Sequence, residues 1–156
     1  MANIEKFKPV KHTEIFELMY DEALNSIKYF SGTIDEKINE INRYKNTCLF
    51  NKNILIYKDT DDIIGFCMYE KIDDIVFIIF DYVDIKFKGK GRICRQDVFD
   101  FFSDKCAELK FYIHKDNFLS KNSITKLDNK RNNQYAFLKK DKNNFLSERI
   151  EYTVVY

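Results

Sequence analysis

The hydrophobic positions change period several times along the chain, and each change marks an element. Residues 12–30, HTEIFELMYDEALNSIKYF, place Ile15, Leu18, Met19, Ala23 and Ile27 at the spacing of one helical face. Thr13 stands where a cap would stand. Residues 34–45 repeat Ile34, Ile38 and Ile41 at four- and three-residue steps, which predicts a second amphipathic helix. Ahead of both, NIEKFKPVK reads as a short strand ended by Pro9. The pattern then becomes apolar and β-branched. Residues 48–59 and 63–72 read as two strands across the acidic turn of Asp59, Asp61 and Asp62, and Asp73-Asp74 marks another turn. The run IVFIIFDYVDI, residues 75–85, is the most apolar in the chain and suits a strand covered on both faces. Helical spacing returns at residues 91–109, where Ile93, Val98, Phe101, Phe102 and Cys106 share a side. LKFYIH at 109–114 is a strand, 120–132 a short polar helix, and 134–140 and 147–156 two closing strands around the turn DKNN.

The order is β-α-α-β-β-β-α-β-α-β-β. Hairpins combined with one strand-helix-strand unit predict an α/β (α+β) mixed sheet with helices on both sides. No repeat or Pro/Gly-rich linker divides the chain, so residues 1–156 are read as a single domain.

Composition narrows the function. With 45% hydrophobic and 33% charged residues the chain is globular rather than disordered, and 15 Phe with 10 Tyr supply a large core. A net charge of +1 argues against nucleic acid or an anionic membrane as partner. No apolar run reaches membrane-spanning length and the N-terminus lacks an apolar signal core, so a cytoplasmic protein is expected. Cys48, Cys67, Cys94 and Cys106 form no CxxC pair, and neither His12 nor His114 has a cysteine at zinc-finger spacing. Reduced structural thiols and no metal are expected.

The chain has only four glycines, and two of them, Gly89 and Gly91, flank Lys90 in VDIKFKGKGRICRQ. This stretch follows the apolar strand and opens a helix. Unpaired N–H groups at a helix start and the helix dipole favour an anion there. Glycine removes the Cβ that would hold a phosphate off the backbone, and Lys88, Lys90 and Arg92 add charge. The stretch reads as a phosphate cradle. It is neither a Walker A loop, since Arg92 follows Gly91, nor a complete GxGxxG fingerprint.

The loop and the element order together resemble the GNAT superfamily of N-acetyltransferases. That family's pyrophosphate loop reads R/Q-x-x-G-x-G/A after a strand ending in a V-x-P-like phrase. Here Val83 opens the phrase, Lys88 takes the Arg/Gln place, Gly91 the central glycine and Ile93 the last small place. The Gly65-Phe66 pair resembles the family's third strand. Asn117 and Ser120 match the V-x-x-x-N-x-x-S/A phrase, in which the Asn lies near the pantetheine arm of the cofactor. The resemblance implies acetyl-CoA as cosubstrate, an amine acceptor and direct transfer in a ternary complex. It implies cofactor contacts at Tyr82, Val83, Lys88, Gly89, Lys90, Gly91, Arg92, Ile93, Asn117 and Ser120, with a backbone N–H near Tyr82 or Val83 for the thioester oxyanion.

Such a reaction must also take a proton from the acceptor, since an alkyl ammonium has a pKa of about 10.4. The family's glutamate base falls at Phe77, so that base is absent. Strict alternation along the fourth strand puts Phe77, Ile79, Asp81 and Val83 on one face, which makes Asp81 the candidate base. The family's tyrosine acid falls at Ile124, leaving Tyr135 as a substitute or no acid at all. Cys94 as a nucleophile and His114 as a base are weaker candidates. The alternative is a non-catalytic CoA-binding or interaction module on the same scaffold. The closing strand RIEYTVVY, if at an edge, offers a homodimer contact.

The loop reading predicts that saturating acetyl-CoA raises the melting temperature. A ligand at about 100 times its Kd adds about 2.7 kcal/mol. Gly91→Val should abolish the shift and Lys88→Ala should reduce it in a thermal-shift titration.

Overall fold

The structure is a computed structural model that describes residues 3–30, 32–87, 91–130, 135–140 and 149–156. Its elements run β1 (Asn3–Lys6), α1 (Ile15–Ser26), α2 (Ile34–Asn51), β2 (Ile54–Asp59), β3 (Asp62–Ile72), β4 (Ile75–Val83), α3 (Gly91–Phe102), β5 (Glu108–His114), α4 (Phe118–Lys130), β6 (Tyr135–Lys140) and β7 (Arg149–Val155). The predicted order holds. The seven strands form one sheet in the order β1-β2-β3-β4-β5-β7-β6. Among the described residues only β4 and β5 pair in parallel; the other neighbours are antiparallel.

Two apolar cores sit on opposite faces of the sheet. On one face Ile15, Leu18 and Met19 of α1 and Ile41 and Cys48 of α2 cover Ile54, Ile56, Phe66, Met68 and Phe80. On the other, Cys94, Val98, Phe99 and Phe102 of α3 and Ile124 and Leu127 of α4 cover Leu55, Tyr57, Val76, Ile78, Leu109 and Phe111. Each large side chain buried this way contributes about 1.5–3 kcal/mol.

Several boundaries differ from the sequence reading. Residues 48–51 continue α2 rather than opening a strand; Ile41, Lys45 and Cys48 keep the helical stripe going. The helix stops at Lys52, which adopts a left-handed conformation and returns its N–H to the Cys48 and Leu49 carbonyls. Its start is fixed by a capping box, with Thr33 Oγ1 accepting from the Glu36 N–H and Glu36 Oε2 from the Thr33 N–H. Thr13 does not cap α1, whose N-cap is Glu14 without a side-chain bond. The third helix ends at Phe102, before Cys106. The closing strand β7 is not an edge: it lies between β5 and β6, so the homodimer argument built on it lapses.

The most consequential difference is in β4. Met68 faces Phe80 across the β3–β4 ladder, yet the next residue of β3, Tyr69, faces Ile78. Ile79 is therefore an extra residue, a β-bulge. A bulge flips the alternation. Val76, Ile78 and Val83 pack toward α3 and α4, whereas Ile79, Phe80 and Tyr82 pack toward α1 and α2. Asp81 bonds Arg95 of α3 and so belongs to the first set. It does not share a face with Phe77 and Ile79, contrary to the strict period of two.

Gly65 permits the close approach of β3 to the end of β4. A Cβ there would overlap the Tyr82 carbonyl oxygen and lie 3.0 Å from Val83 Cα and from Tyr57 Cδ2. Backbone cannot swing away as a side-chain tip can. Gly65→Ala should cost about 1–3 kcal/mol in urea unfolding, and an unchanged midpoint would contradict this packing.

Candidate active site

The parallel ladder between β4 and β5 is short. It joins Ile75–Ile78 to Glu108–Phe111 and goes no further. β5 continues beside β7 as far as the His114–Arg149 pair. β4 continues beside β3 as far as Val83. Past Ile78 and Phe111 the two central strands thus follow different partners and separate, and the bulge at Ile79 stands where the separation begins. A cavity of about 640 Å³ occupies the gap, within the range of small-molecule sites.

Residues from both faces of the sheet line this cavity, so it passes between the strands. From the α3 and α4 side come Ile78, Asp81, Val83, Arg95, Phe99, Phe111, Asn117 and Ser120. From the α1 and α2 side come Glu22, Ser26, Tyr29, Tyr44, Phe77, Tyr82, His114 and Arg149.

The α3 side carries a polar chain. Tyr57 Oη donates to Asp81 Oδ1 at 2.6 Å, and Arg95 Nε donates to Asp81 Oδ2 at 3.1 Å. Tyr57 is fully buried, and burial first, then the Asp81 charge, pushes its phenol far above the usual range. It stays a neutral donor. The Asp81 side chain keeps only 18% of its surface exposed and Arg95 only 15%. Both carboxylate oxygens of the candidate base are thus held by donors.

The opposite side carries a buried ion pair. Glu22 of α1 and Lys45 of α2 meet at 2.5 Å, each side chain 8% exposed. Lys45 also donates to the Met19 carbonyl at 2.7 Å and lies over the Phe80 ring. Arg149 donates to the Tyr29 carbonyl at 3.0 Å and stacks on Phe30. Burial pulls its guanidinium below the usual arginine range. His114 Nδ1 accepts from the Asp116 backbone N–H. Tyr112 donates to Glu151 at 2.7 Å, and burial followed by that bond raises its phenol.

The sequence-derived residues fall into three groups. Asp81, Tyr82, Val83, Asn117 and Ser120 all line the cavity. Asn117 also caps α4, its Oδ1 accepting from the Ser120 N–H at 3.3 Å. Gly91, Arg92 and Ile93 form the first turn of α3, described in backbone only. Lys88, Gly89 and Lys90 lie outside the described residues.

No protein-family model matches the chain, and no curated protein matches it. Solved structures do match over the whole length. A Pyrococcus horikoshii protein superposes with a TM-score of 0.67 at 20% identity, covering 100% of this chain and 99% of that one. The PaiA N-acetyltransferase of Thermoplasma acidophilum, solved with coenzyme A, gives 0.63 at 15% identity, covering 100% and 99%. The diaminobutyrate acetyltransferase EctA of Paenibacillus lautus, solved with L-2,4-diaminobutyric acid and coenzyme A, gives 0.62 at 10% identity, covering 99% and 95%. The chain has the GNAT fold.

Within that GNAT frame the two departures noted in the sequence take on a physical meaning. Phe77, at the place of the family's glutamate, lines the cavity on the α1 and α2 side as an apolar wall. Ile124, at the place of the tyrosine, is 1% exposed in the α3–α4 core and is not among the residues that line the cavity. Tyr135 opens β6. Cys94 is fully buried in the same core, and Cys48, buried beside the Tyr69 carbonyl, has its thiol pushed up to about 11 by desolvation. Neither thiol is presented as a nucleophile. Among the described residues no three His, Cys, Asp or Glu side chains gather as a metal site, and no helix is long and apolar enough to cross a membrane.

The sequence reading missed Glu22, Lys45 and Arg95. All three interrupt the inward stripe of an amphipathic helix: Glu22 follows Leu18 and Met19, Lys45 falls between Ile41 and Cys48, and Arg95 between Cys94 and Val98. A charge on an inward stripe was the available signal. Removing one partner of the buried pair leaves the other uncompensated. Lys45→Met should therefore cost about 3–5 kcal/mol, and Glu22→Leu/Lys45→Met should recover most of it. Urea midpoints of the single and double variants test this.

Proposed function

We propose that the protein is an N-acetyltransferase that moves an acetyl group from acetyl-CoA to a primary amine of a small molecule or a protein, by direct transfer in a ternary complex. The observation that carries this reading is the gap between β4 and β5, open to both faces of the sheet. A donor entering from the α3 side and an acceptor entering from the α1 side meet there without crossing the sheet. The Gly89–Gly91 stretch and the first turn of α3 would hold the pyrophosphate, and Asn117 and Ser120 would flank the pantetheine arm.

The step balances simply. The neutral amine nitrogen attacks the thioester carbon, the carbonyl opens to an oxyanion, and its collapse breaks the carbon–sulfur bond. The proton lost from nitrogen ends on the CoA thiolate. Backbone N–H groups of β4 beyond its last pair with β5, near Tyr82 and Val83, would serve as the oxyanion donors. For Asp81 the Tyr57 and Arg95 bonds support an orienting role rather than proton removal. The acceptor then reacts as the fraction already deprotonated, about one part in a thousand near neutral pH. The second reading, a CoA-binding module without turnover, draws on the apolar Phe77 and Ile124 at the family's base and acid places and on the bulky Ile93 at the last small place of the loop motif.

Release of CoA thiol across a panel of primary amines separates the two readings: turnover is expected, and tight acetyl-CoA binding with no amine-dependent release would leave the module. The pH profile tests the role of Asp81. Log kcat/KM should rise about one unit per pH unit toward the amine's own pKa, and Asp81→Asn should lower it equally at every pH. A neutral plateau that Asp81→Asn abolishes would make Asp81 the base.

A further inference from the structure

Arg95 lies where the two separating strands part. Its Nε is held at 3.1 Å by Asp81 of β4, and its guanidinium carbon sits 5.8 Å from the ring centre of Phe111 of β5. Phe111 is the last β5 residue paired to β4, and Asp81 lies three residues beyond the last paired residue, Ile78. The planar group therefore bridges the opening of the gap, and it lines the cavity together with both neighbours. Its orientation is over-determined. Tyr57, fully buried, fixes Asp81 from beneath, and Asp81 fixes Arg95.

One atom of this assembly is left over. Arg95 Nη1 is buried and meets no hydrogen-bond acceptor among the described residues. A buried donor without an acceptor is costly, and native structures keep few of them. Charge decides which acceptor suits it. Arg95 and Asp81 already neutralise each other, so a full anion added here would bury an unbalanced charge. A neutral carbonyl oxygen adds none, and it gains from a rigid charged donor as negative charge develops on it.

We propose that Arg95 Nη1 donates to the thioester carbonyl of the acyl donor, with Asp81 and Tyr57 as the residues that position it. The proposal rests on the acetyl-CoA reading above and adds a side-chain donor to the backbone groups of β4. It also gives Asp81 a task that needs no proton transfer.

The test compares acetyl-CoA with S-ethyl-CoA, in which a methylene replaces the carbonyl. Calorimetry on the wild type should show acetyl-CoA bound about tenfold or more tightly, the worth of one charge-assisted hydrogen bond. Arg95→Lys keeps a cation beside Asp81 but loses the bridging nitrogen; it should bind the two ligands nearly equally, with S-ethyl-CoA unchanged. A second readout does not depend on affinity: the carbonyl carbon resonance of [1-13C]acetyl-CoA should move downfield on the wild type and move less on Arg95→Lys. Equal discrimination by wild type and Arg95→Lys, or none by the wild type, overturns the proposal while leaving acetyl-CoA as ligand. Failure of the wild type to bind either compound overturns the acetyl-CoA reading and this proposal with it.

Discussion

One extra residue in the central strand governs this molecule. With Ile79 bulged out of the β3–β4 ladder, β4 cannot follow both of its neighbours. It stays with β3, while β5 stays with β7, and the parallel ladder between them closes after four pairs. A continuous sheet would bring α3 and α4 to one face and α1 and α2 to the other with no communication between them. The bulge leaves a passage instead, about 640 Å³ in volume, whose wall includes unpaired strand edge as well as side chains from both faces.

The same residue changes the chemistry available on each side. It turns Asp81 toward α3, into a chain of donors running from Tyr57 to Arg95. It turns Phe80 and Tyr82 toward α1 and α2, where Phe80 packs under Lys45 and Glu22, the ion-pair partner of Lys45, lines the passage. Each side of the passage thus has its own internally balanced ion pair, Glu22–Lys45 buried and Asp81–Arg95 part-buried. Balanced pairs cost desolvation but keep rigid geometry, which suits a site that must hold two reactants in register more than one that must bind a charged ligand strongly.

Much of the fold was legible because its signals are local. The inward stripe of α1 follows from apolar residues at helical steps, and both acidic turns appear as two-residue hairpin connections, with Thr60 and Asp73 in left-handed conformations. The helical period of α2 was legible but not its face: Ile34 and Ile38 are exposed, and the buried stripe runs through Ile41, Lys45 and Cys48. Where the reading failed, the cause was not local. Residues 48–50 are apolar and lead straight into the β-branched run at 54–57, yet Ile41, Lys45 and Cys48 continue the buried helical stripe and α2 runs on until Lys52 ends it. The insertion of β7 between β5 and β6 depends on pairing across the whole second half of the chain. The bulge was invisible for a further reason. From Ile75 to Phe80 every residue is apolar, so no polar position marks the point where the alternation slips. The face of Asp81 was misassigned for that reason alone.

On the proposed function, acetyl-CoA meets the acceptor in the passage opened by the bulge. A crystal structure of the protein with acetyl-CoA tests it most directly. The thioester is expected between the 79–83 stretch of β4 and the 112–114 stretch of β5, on the level of Arg95. Density for the acetyl group anywhere outside that passage would contradict it.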